Sequence, residues 1–186
     1  MSAFDSWYAA GGTGSGDGSG VGYTSAYRAF LERFMGERGV RSVLDVGCGD
    51  WQFSSLVNWG EREYVGTELV QPLVDRLRLE HGSALRRFQC VDLRRHMADR
   101  YDLAIVKDVA IHLPNADVIR LADNLSPCRD VLYVYDHADG TAEDIAVGQY
   151  RALDLRAEPF KLHGDIVYRF PKIHNAHKVV LHVSHT

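Results

Sequence analysis

Short apolar runs alternate along the chain with stretches in which apolar residues recur every three or four positions. Helical spacing predicts helices over Ser25–Arg38, Gln52–Trp59, Gln71–His81 and Asn115–Leu125. The apolar runs predict seven strands: Ser42–Val46, Glu63–Leu69, Arg87–Leu93, Tyr101–Val109, Asp130–Ala138, Asp165–Phe170 and His177–Ser184.

The order of these elements predicts an α/β fold with one mostly parallel sheet. Strands that alternate with helices pair in parallel and carry helices on both faces of the sheet. Only Pro171–Ala176 separates the last two strands, which leaves no room for a crossover helix. We therefore expect five parallel strands, followed by an antiparallel C-terminal hairpin.

The first 24 residues differ from the rest of the chain. Their Gly- and Ser-rich stretch cannot build a core, so we expect a flexible lead over residues 1–24 and one folded domain over residues 25–186. Trp7 and Tyr8 lie in this lead and are candidates for a lid over a bound ligand, with Tyr8 as a substrate contact. A disordered tail is the alternative.

Composition and charge narrow the class of protein. The chain has 186 residues, a hydrophobic fraction of 46% and a net charge of -4, so we expect no nucleic-acid partner. Its three cysteines form no Cys-x-x-Cys pair, which gives no support for a structural zinc site. No secretory signal or membrane-spanning run is evident, and we expect a cytoplasmic protein.

The strongest motif lies where the first predicted strand ends. Asp45 precedes a Gly-x-Gly bend formed by Gly47, Cys48 and Gly49, and Asp50 follows it. Glycines let the backbone turn tightly and approach a ligand at the carboxyl end of a strand. Gln52 stands where a dinucleotide-binding loop has its third glycine, which disfavours a nicotinamide cofactor.

Acidic residues stand at three successive strand ends. Asp45 could order the loop around a cationic amino-acid group, Glu68 could accept hydrogen bonds from ribose hydroxyls, and Asp92 could meet an adenine amine. The alternative is a tight turn followed by solvated strand ends. All these residues in register favour a ligand that contains a ribose, an adenine and an amino acid.

On these motifs, residues 25–185 resemble the class I S-adenosylmethionine-dependent methyltransferases, and Ser42–Phe53, Lys107–Leu113 and Gly148–Phe160 resemble small bacterial members. The resemblance implies a Rossmann-like seven-stranded sheet and S-adenosyl-L-methionine as the cofactor. It implies cofactor contacts from Asp45, Gly47, Cys48, Gly49, Asp50, Glu68, Leu69, Asp92, Leu93 and Lys107.

The chemistry should reside at the ends of the fourth and fifth strands. If the chain turns helical after Asp108, then Asp108 and His112 share a face and could act as an oriented general base. A histidine that packs beneath the cleft is the alternative. The further candidates for contact with the acceptor substrate are Asp136, His137, Tyr150 and Arg151.

The sequence leaves two roles open for Arg151. Arg151 would suit a carboxylate or phosphate on the acceptor, or it could form a surface ion pair with Asp154 or Glu158. We expect no metal, although Asp108, His112, Asp136 and His137 could gather an ion.

The resulting prediction is an enzyme that transfers a methyl group to an oxygen or nitrogen of a small polar metabolite or of a natural-product or glycan intermediate. A non-catalytic binding module with the same fold and a nicotinamide-dependent oxidoreductase are the alternatives.

Overall fold

The computed structural model describes residues 20, 22–171 and 177–186, with the side chain of Pro171 excepted. Two compact units divide the chain, the first ending at Val91 and the second beginning at Asp92. Trp7, Tyr8 and the rest of the lead up to residue 19 lie outside the described residues, so the lid and the Tyr8 contact stay predictions.

The first unit contains three parallel strands and two helices. Pairing of β1 with β2 and of β2 with β3 places Asp45 opposite Gly66 and Gly66 opposite Phe88. Its elements are α1 (Ser25–Glu37), β1 (Ser42–Val46), a 3-10 turn (Ser54–Leu56), β2 (Glu63–Glu68), α2 (Gln71–His81) and β3 (Arg86–Cys90).

The second unit contains four strands and one helix. The parallel pair β4–β5 continues into an antiparallel pair, β5–β7, and β7 pairs antiparallel with β6. Its elements are β4 (Leu103–Lys107), a 3-10 turn (Ala110–His112), α3 (Asn115–Asn124), β5 (Asp130–Asp136), β6 (Asp165–Pro171) and β7 (His177–Ser184).

The expected sheet is confirmed. Its seven strands follow the order β3-β2-β1-β4-β5-β7-β6, mostly parallel and with the antiparallel C-terminal hairpin. Strand β4 is buried along its whole length, as are all seven residues of β5, and this explains why both read as continuous apolar runs. Lys107 and Asp136 end these strands as buried charges.

One predicted helix was wrong, and one local condition was met only in part. The helix expected over Gln52–Trp59 is only a 3-10 turn, because Trp51 has a left-handed backbone (φ 62°) and its side chain turns into the core. The chain after Asp108 forms a 3-10 turn, Ala110–His112, and not an α-helical turn, and Asp108 itself is left-handed (φ 59°). In the part of the chain that the structure describes, no helix has the length and apolar character to cross a membrane.

Candidate functional site

The glycine bend of the first unit has the backbone conformation that its sequence requires. Gly47 and Gly49 have φ angles of 67° and 58°, a region that other residues rarely occupy. Between them Cys48 is buried, and its N–H donates to the Thr67 carbonyl at 2.9 Å. The Cys48 side chain faces Gly66, where an added Cβ would lie 2.9 Å from Sγ. The bend is therefore locked against β2.

Glu68 ties the end of β2 to this bend. One carboxylate oxygen accepts the Gly49 N–H at 3.2 Å, and the other accepts the Leu69 N–H at 2.7 Å. Burial raises the pKa of Glu68, and the backbone hydrogen bonds oppose this rise. A carboxylate oxygen has two lone pairs, so each retains capacity for a ligand hydroxyl. The group is held where it can accept hydrogen bonds from a ribose.

Asp45 acts within the core of the first unit. Its side chain is 2% exposed, and one oxygen accepts hydrogen bonds from the Tyr64 hydroxyl at 2.6 Å and the Ser54 hydroxyl at 3.1 Å. Asp50 caps the turn after the bend by accepting the Gln52 N–H at 3.2 Å. These two acids shape the loop through the protein's own groups.

Trp51 packs in the core of the first unit. Its ring lies 4.7 Å from His81, 5.4 Å from Phe88 and 5.7 Å from Tyr64, measured between centroids. The side chain is 8% exposed. Trp51 therefore anchors the start of this segment in the core of the first unit.

In the second unit, Asp92 is chelated by a neighbouring arginine. Its oxygens accept Arg94 Nε and Nη2, both at 2.8 Å, while Arg95 lies 3.4 Å away. Burial would raise the pKa of Asp92, but the hydrogen bonds and charge of Arg94 outweigh it and the pKa is lowered. An adenine amine would compete with these contacts. Leu93 is buried, and its carbonyl accepts from Asn124 at 2.9 Å.

A buried charge cluster joins the ends of β4 and β5 to β7. Lys107 contacts Asp108 at 2.6 Å, and Lys178 contacts both Asp108 and Asp136, the latter at 3.2 Å. The side chains of Lys107, Lys178 and Asp136 are at most 4% exposed. Tyr150 donates to the other oxygen of Asp136 at 3.0 Å. Two lysines and two aspartates balance in charge, which is the condition for burying them together.

This cluster changes the chemistry available to Asp108. Burial alone would raise its pKa, but the two lysines lower it to about 2. Such a carboxylate is a weak base near neutral pH. The two groups proposed as a pair have separate partners among the described residues: the Asp108 carboxylate contacts the two lysines, and the His112 ring contacts the Gln149 carbonyl.

His112 has a different partner. Its Nδ1 lies 3.0 Å from the Gln149 carbonyl, and its ring centroid is 6.1 Å from that of Tyr150. The Gly148 N–H donates to the His112 carbonyl at 2.9 Å, so the loop lies directly against this turn. The ring is partly exposed. His112 is thus oriented and accessible without an acidic partner.

Arg151 is committed to the protein itself. Its guanidinium donates to the carbonyls of Glu143 and Leu113, the latter at 2.7 Å, and its Cζ lies 5.6 Å from the Phe160 ring centroid. The residue is 9% exposed, and burial lowers its pKa. This environment favours a loop-holding role over contact with an anionic substrate. The ion pair with Asp144, at 3.8 Å, is long.

His137 lies beside a different acid from the one expected. Its Nε2 is 3.2 Å from Asp139, and among the described residues His137, Asp139 and Asp154 offer ligand atoms within 4.8 Å of one another. Asp154 already accepts Arg156 Nε at 3.1 Å and Nη2 at 3.0 Å. This group shares only His137 with the ion-binding set that the sequence suggested.

Two residues that contact the predicted site residues were not singled out by the sequence analysis. Lys178 lies in β7, 70 residues from Asp108, so no local spacing in the sequence links the two residues. Gln149 contributes a backbone carbonyl, which no residue type signals. A lysine within an otherwise apolar strand was the one available clue to the first.

Comparison with solved structures agrees with this architecture, whereas comparison with families and curated sequences finds no match. No protein-family model and no curated protein sequence matches the chain. Among solved structures it is similar to the 1,6-didemethyltoxoflavin-N1-methyltransferase of Burkholderia thailandensis, with a TM-score of 0.69 and 20% identity over 97% of this chain and 84% of that one.

Two further structures are similar at lower identity. The magnesium protoporphyrin IX methyltransferase of Synechocystis PCC 6803 has a TM-score of 0.65 and 17% identity, over 100% of this chain and 92% of that one. The mitomycin 7-O-methyltransferase has a TM-score of 0.60 and 12% identity, over 86% of this chain and 54% of that one. The chain therefore has the Rossmann-like fold of these methyltransferases.

Proposed function

We propose that the protein is an S-adenosylmethionine-dependent methyltransferase. The observation that carries this proposal is the glycine bend with Glu68 beneath it: a buried carboxylate held by two backbone N–H groups and retaining acceptor capacity. A nucleoside ribose offers the two hydroxyl donors that such a group needs. No phosphate-binding lysine or third glycine accompanies the bend.

The neighbours' bound molecules support the same cofactor. The toxoflavin enzyme was crystallised with S-adenosylhomocysteine and its acceptor, and the protoporphyrin enzyme with S-adenosylmethionine. When bound, S-adenosylmethionine supplies a methyl group from a positively charged sulfur. In this chain Glu68 would hold the ribose, and Gly47 and Gly49 would let the backbone approach the ligand.

Other cofactor contacts are proposed in weaker roles. Asp45 and Asp50 order the bend through Ser54, Tyr64 and the Gln52 N–H. Cys48 and Leu69 would contact the cofactor through their backbone atoms. Asp92 could serve the adenine only by sharing or exchanging Arg94, and Lys107 is neutralised by Asp108.

We infer that the acceptor is a small polar molecule methylated on oxygen or nitrogen. His112 is the proposed catalytic residue, because its ring is oriented, partly exposed and free of an ion pair in the described chain. Tyr150 and Asp136 would orient the acceptor by hydrogen bonds. Asp108 is proposed to hold the lysines in place rather than to accept a proton, since its pKa is about 2.

Calorimetric titration with S-adenosylmethionine and S-adenosylhomocysteine tests the proposal. We expect a dissociation constant in the micromolar range, which corresponds to a binding free energy on the order of -8 kcal/mol. Glu68→Ala should raise this dissociation constant at least tenfold. Glu63→Ala is the matched control, because Glu63 begins the same strand and its side chain is 60% exposed.

The outcomes separate the parts of this proposal. Absence of binding by the wild-type protein, or binding of a reduced nicotinamide dinucleotide in its place, would overturn the methyltransferase assignment. Equal affinities for wild type and Glu68→Ala would remove Glu68 from the site.

A further inference from the structure

The hydrogen bond at His112 determines where its ring carries a proton. Nδ1 lies 3.0 Å from the backbone carbonyl of Gln149. A carbonyl oxygen has no proton to give, so Nδ1 must be the donor. In the neutral ring, Nε2 is then left with a lone pair. The second ring nitrogen is therefore in the form that accepts a proton.

Hydrogen bonds on both sides hold the Gln149 carbonyl in place. The Gly148 N–H donates to the His112 carbonyl at 2.9 Å, and the Arg151 N–H donates to the Ile111 carbonyl at 3.1 Å. The turn that leads into this segment is closed by Gln149 itself, whose N–H donates to Ala146 O at 3.1 Å and whose Oε1 accepts Ala146 N–H at 2.9 Å.

The loop is also fixed through the Arg151 side chain. Its guanidinium donates to carbonyls on both sides, Leu113 directly after the His112 turn and Glu143 in the loop. Because Arg151 is buried, these contacts are shielded from water. The histidine and the carbonyl that orients it thus belong to one braced unit of structure.

We propose that the Gln149 carbonyl is a positioning group that holds His112 as its Nδ1–H tautomer, and that the acceptor carries a dissociable O–H or N–H. The inference rests on the proposed function and names its acceptor class. A poised proton acceptor is needed by a hydroxyl or a protonated nitrogen, and is not needed by a nucleophile whose lone pair is already free, such as a thioether.

The proton balance follows from this tautomer. The acceptor proton would pass to His112 Nε2, while the bonding pair of the O–H or N–H stays on the acceptor atom and forms its new bond to the methyl carbon. The bond from that carbon to the sulfur of the donor would break, and its electron pair would stay on the sulfur, which becomes an uncharged thioether. The imidazolium that results has N–H groups on both nitrogens, and Nδ1 keeps its bond to Gln149. The Gln149 carbonyl therefore stabilises the ring both before and after proton transfer.

The neighbouring charges favour an uncharged acceptor. Lys107 and Lys178 each contact carboxylates, and the Arg151 guanidinium is used by backbone carbonyls. Each of these three cations is therefore already engaged by groups of the protein itself. A carboxylate or phosphate on the acceptor would have to displace one of these contacts.

Nitrogen-15 NMR of the histidine rings in the full-length protein tests the inference without substrate. At a pH where the ring is neutral, we expect His112 to show a protonated Nδ1 and a bare Nε2. His185 serves as an internal reference, because its Nδ1 also lies against a carbonyl, that of Cys128 at 2.9 Å.

Two variants should change the His112 signal alone. Gly148 has a φ of 87°, so Gly148→Ala strains the segment that presents the carbonyl. Gln149→Ala is milder and removes only the side-chain bond to Ala146. We expect the tautomer ratio of His112 to shift by about fivefold in Gly148→Ala, the value of one ordinary hydrogen bond. Gly140→Ala is the matched control, with a φ of 98° and no atom within 4 Å of an added Cβ.

The results distinguish this inference from the proposed function. A bare Nδ1 at His112 in the wild type, or a ratio that stays constant in both loop variants, would overturn the positioning role. Titration of the same samples with S-adenosylmethionine reports on the first unit. If the wild-type protein does not bind S-adenosylmethionine, the proposed function is contradicted, whichever tautomer His112 adopts.

Discussion

Glu68 and Asp108 are two shielded carboxylates that the protein treats in opposite ways. Glu68 accepts hydrogen bonds from the Gly49 and Leu69 N–H groups, and no cation contacts it in the part of the chain that the structure describes. Asp108 contacts two lysine ammonium groups, Lys107 and Lys178. The pKa of Glu68 is raised by burial, whereas the lysines overcome burial and lower that of Asp108 to about 2.

The difference shows which carboxylate is available to a ligand. Backbone donors orient an acid without neutralising it, so Glu68 retains a charge and lone pairs that a bound hydroxyl can use. Paired lysines satisfy Asp108 and leave it inert as a base. Position at a strand end, which the two residues nearly share, does not by itself reveal a catalytic group.

Removing the central lysine should have the largest effect on this comparison. Lys178→Met leaves the buried Asp136 and the partly buried Asp108 with one cation fewer, and we expect the free energy of unfolding to fall by about 3–5 kcal/mol. Urea denaturation followed by circular dichroism measures it. Lys161→Met is the control, since Lys161 forms an exposed pair with Glu158 and should cost less than about 0.5 kcal/mol. Equal losses in both variants would mean that the cluster is not held by its charges.

Acid should weaken the second unit through Asp108. A lowered folded-state pKa stabilises the protein above the ordinary value of 3.8, and that stabilisation is lost as the pH falls towards about 2. The expected contribution is about 2 kcal/mol. Comparing the pH dependence of unfolding in wild type and Asp108→Asn isolates it. Parallel curves for the two proteins would contradict the lowered pKa.

The smallest expected effect concerns Glu68 and the cofactor. Because burial raises its pKa, Glu68 becomes protonated at a higher pH than an ordinary glutamate, whose pKa is 4.5. Protonation removes an acceptor, so affinity for S-adenosylmethionine should fall by more than about twofold between about pH 7 and about pH 4.5. Glu68→Gln should bind more weakly but without this pH dependence. A pH slope retained in Glu68→Gln would assign the titration to another group.

Element identity followed from the hydrophobic pattern more closely than local backbone geometry did. The predicted bounds of Ser42–Val46, Gln71–His81 and His177–Ser184 match the structure, because their burial is regular along the strand or helix. The departures at Trp51 and Asp108 arise from left-handed backbones at non-glycine residues. Such conformations are imposed by tertiary contacts and have no signature in residue type.

The candidate site was predictable where the chain itself brings residues together. The bend and Glu68 lie on neighbouring strands in register, so their proximity follows from the sheet. Lys178 meets Asp108 only because β7 returns antiparallel to β5. Arg151 was predicted to contact the substrate or to form a surface ion pair, and neither prediction anticipated its burial, because that depends on how a loop without regular structure folds back.

The packing of Cys48 has a consequence for a protein that handles an electrophile. Burial raises the pKa of the Cys48 thiol well above its usual value, and the nearby Asp45 and Glu68 carboxylates raise it further. Sulfur attacks alkylating agents as the thiolate, so this cysteine stays unreactive in the loop proposed to hold a methyl donor. The same thiol takes up the space that Gly66 leaves empty. The Cys48 sulfur therefore fills space in the glycine bend without becoming a target for the methyl donor.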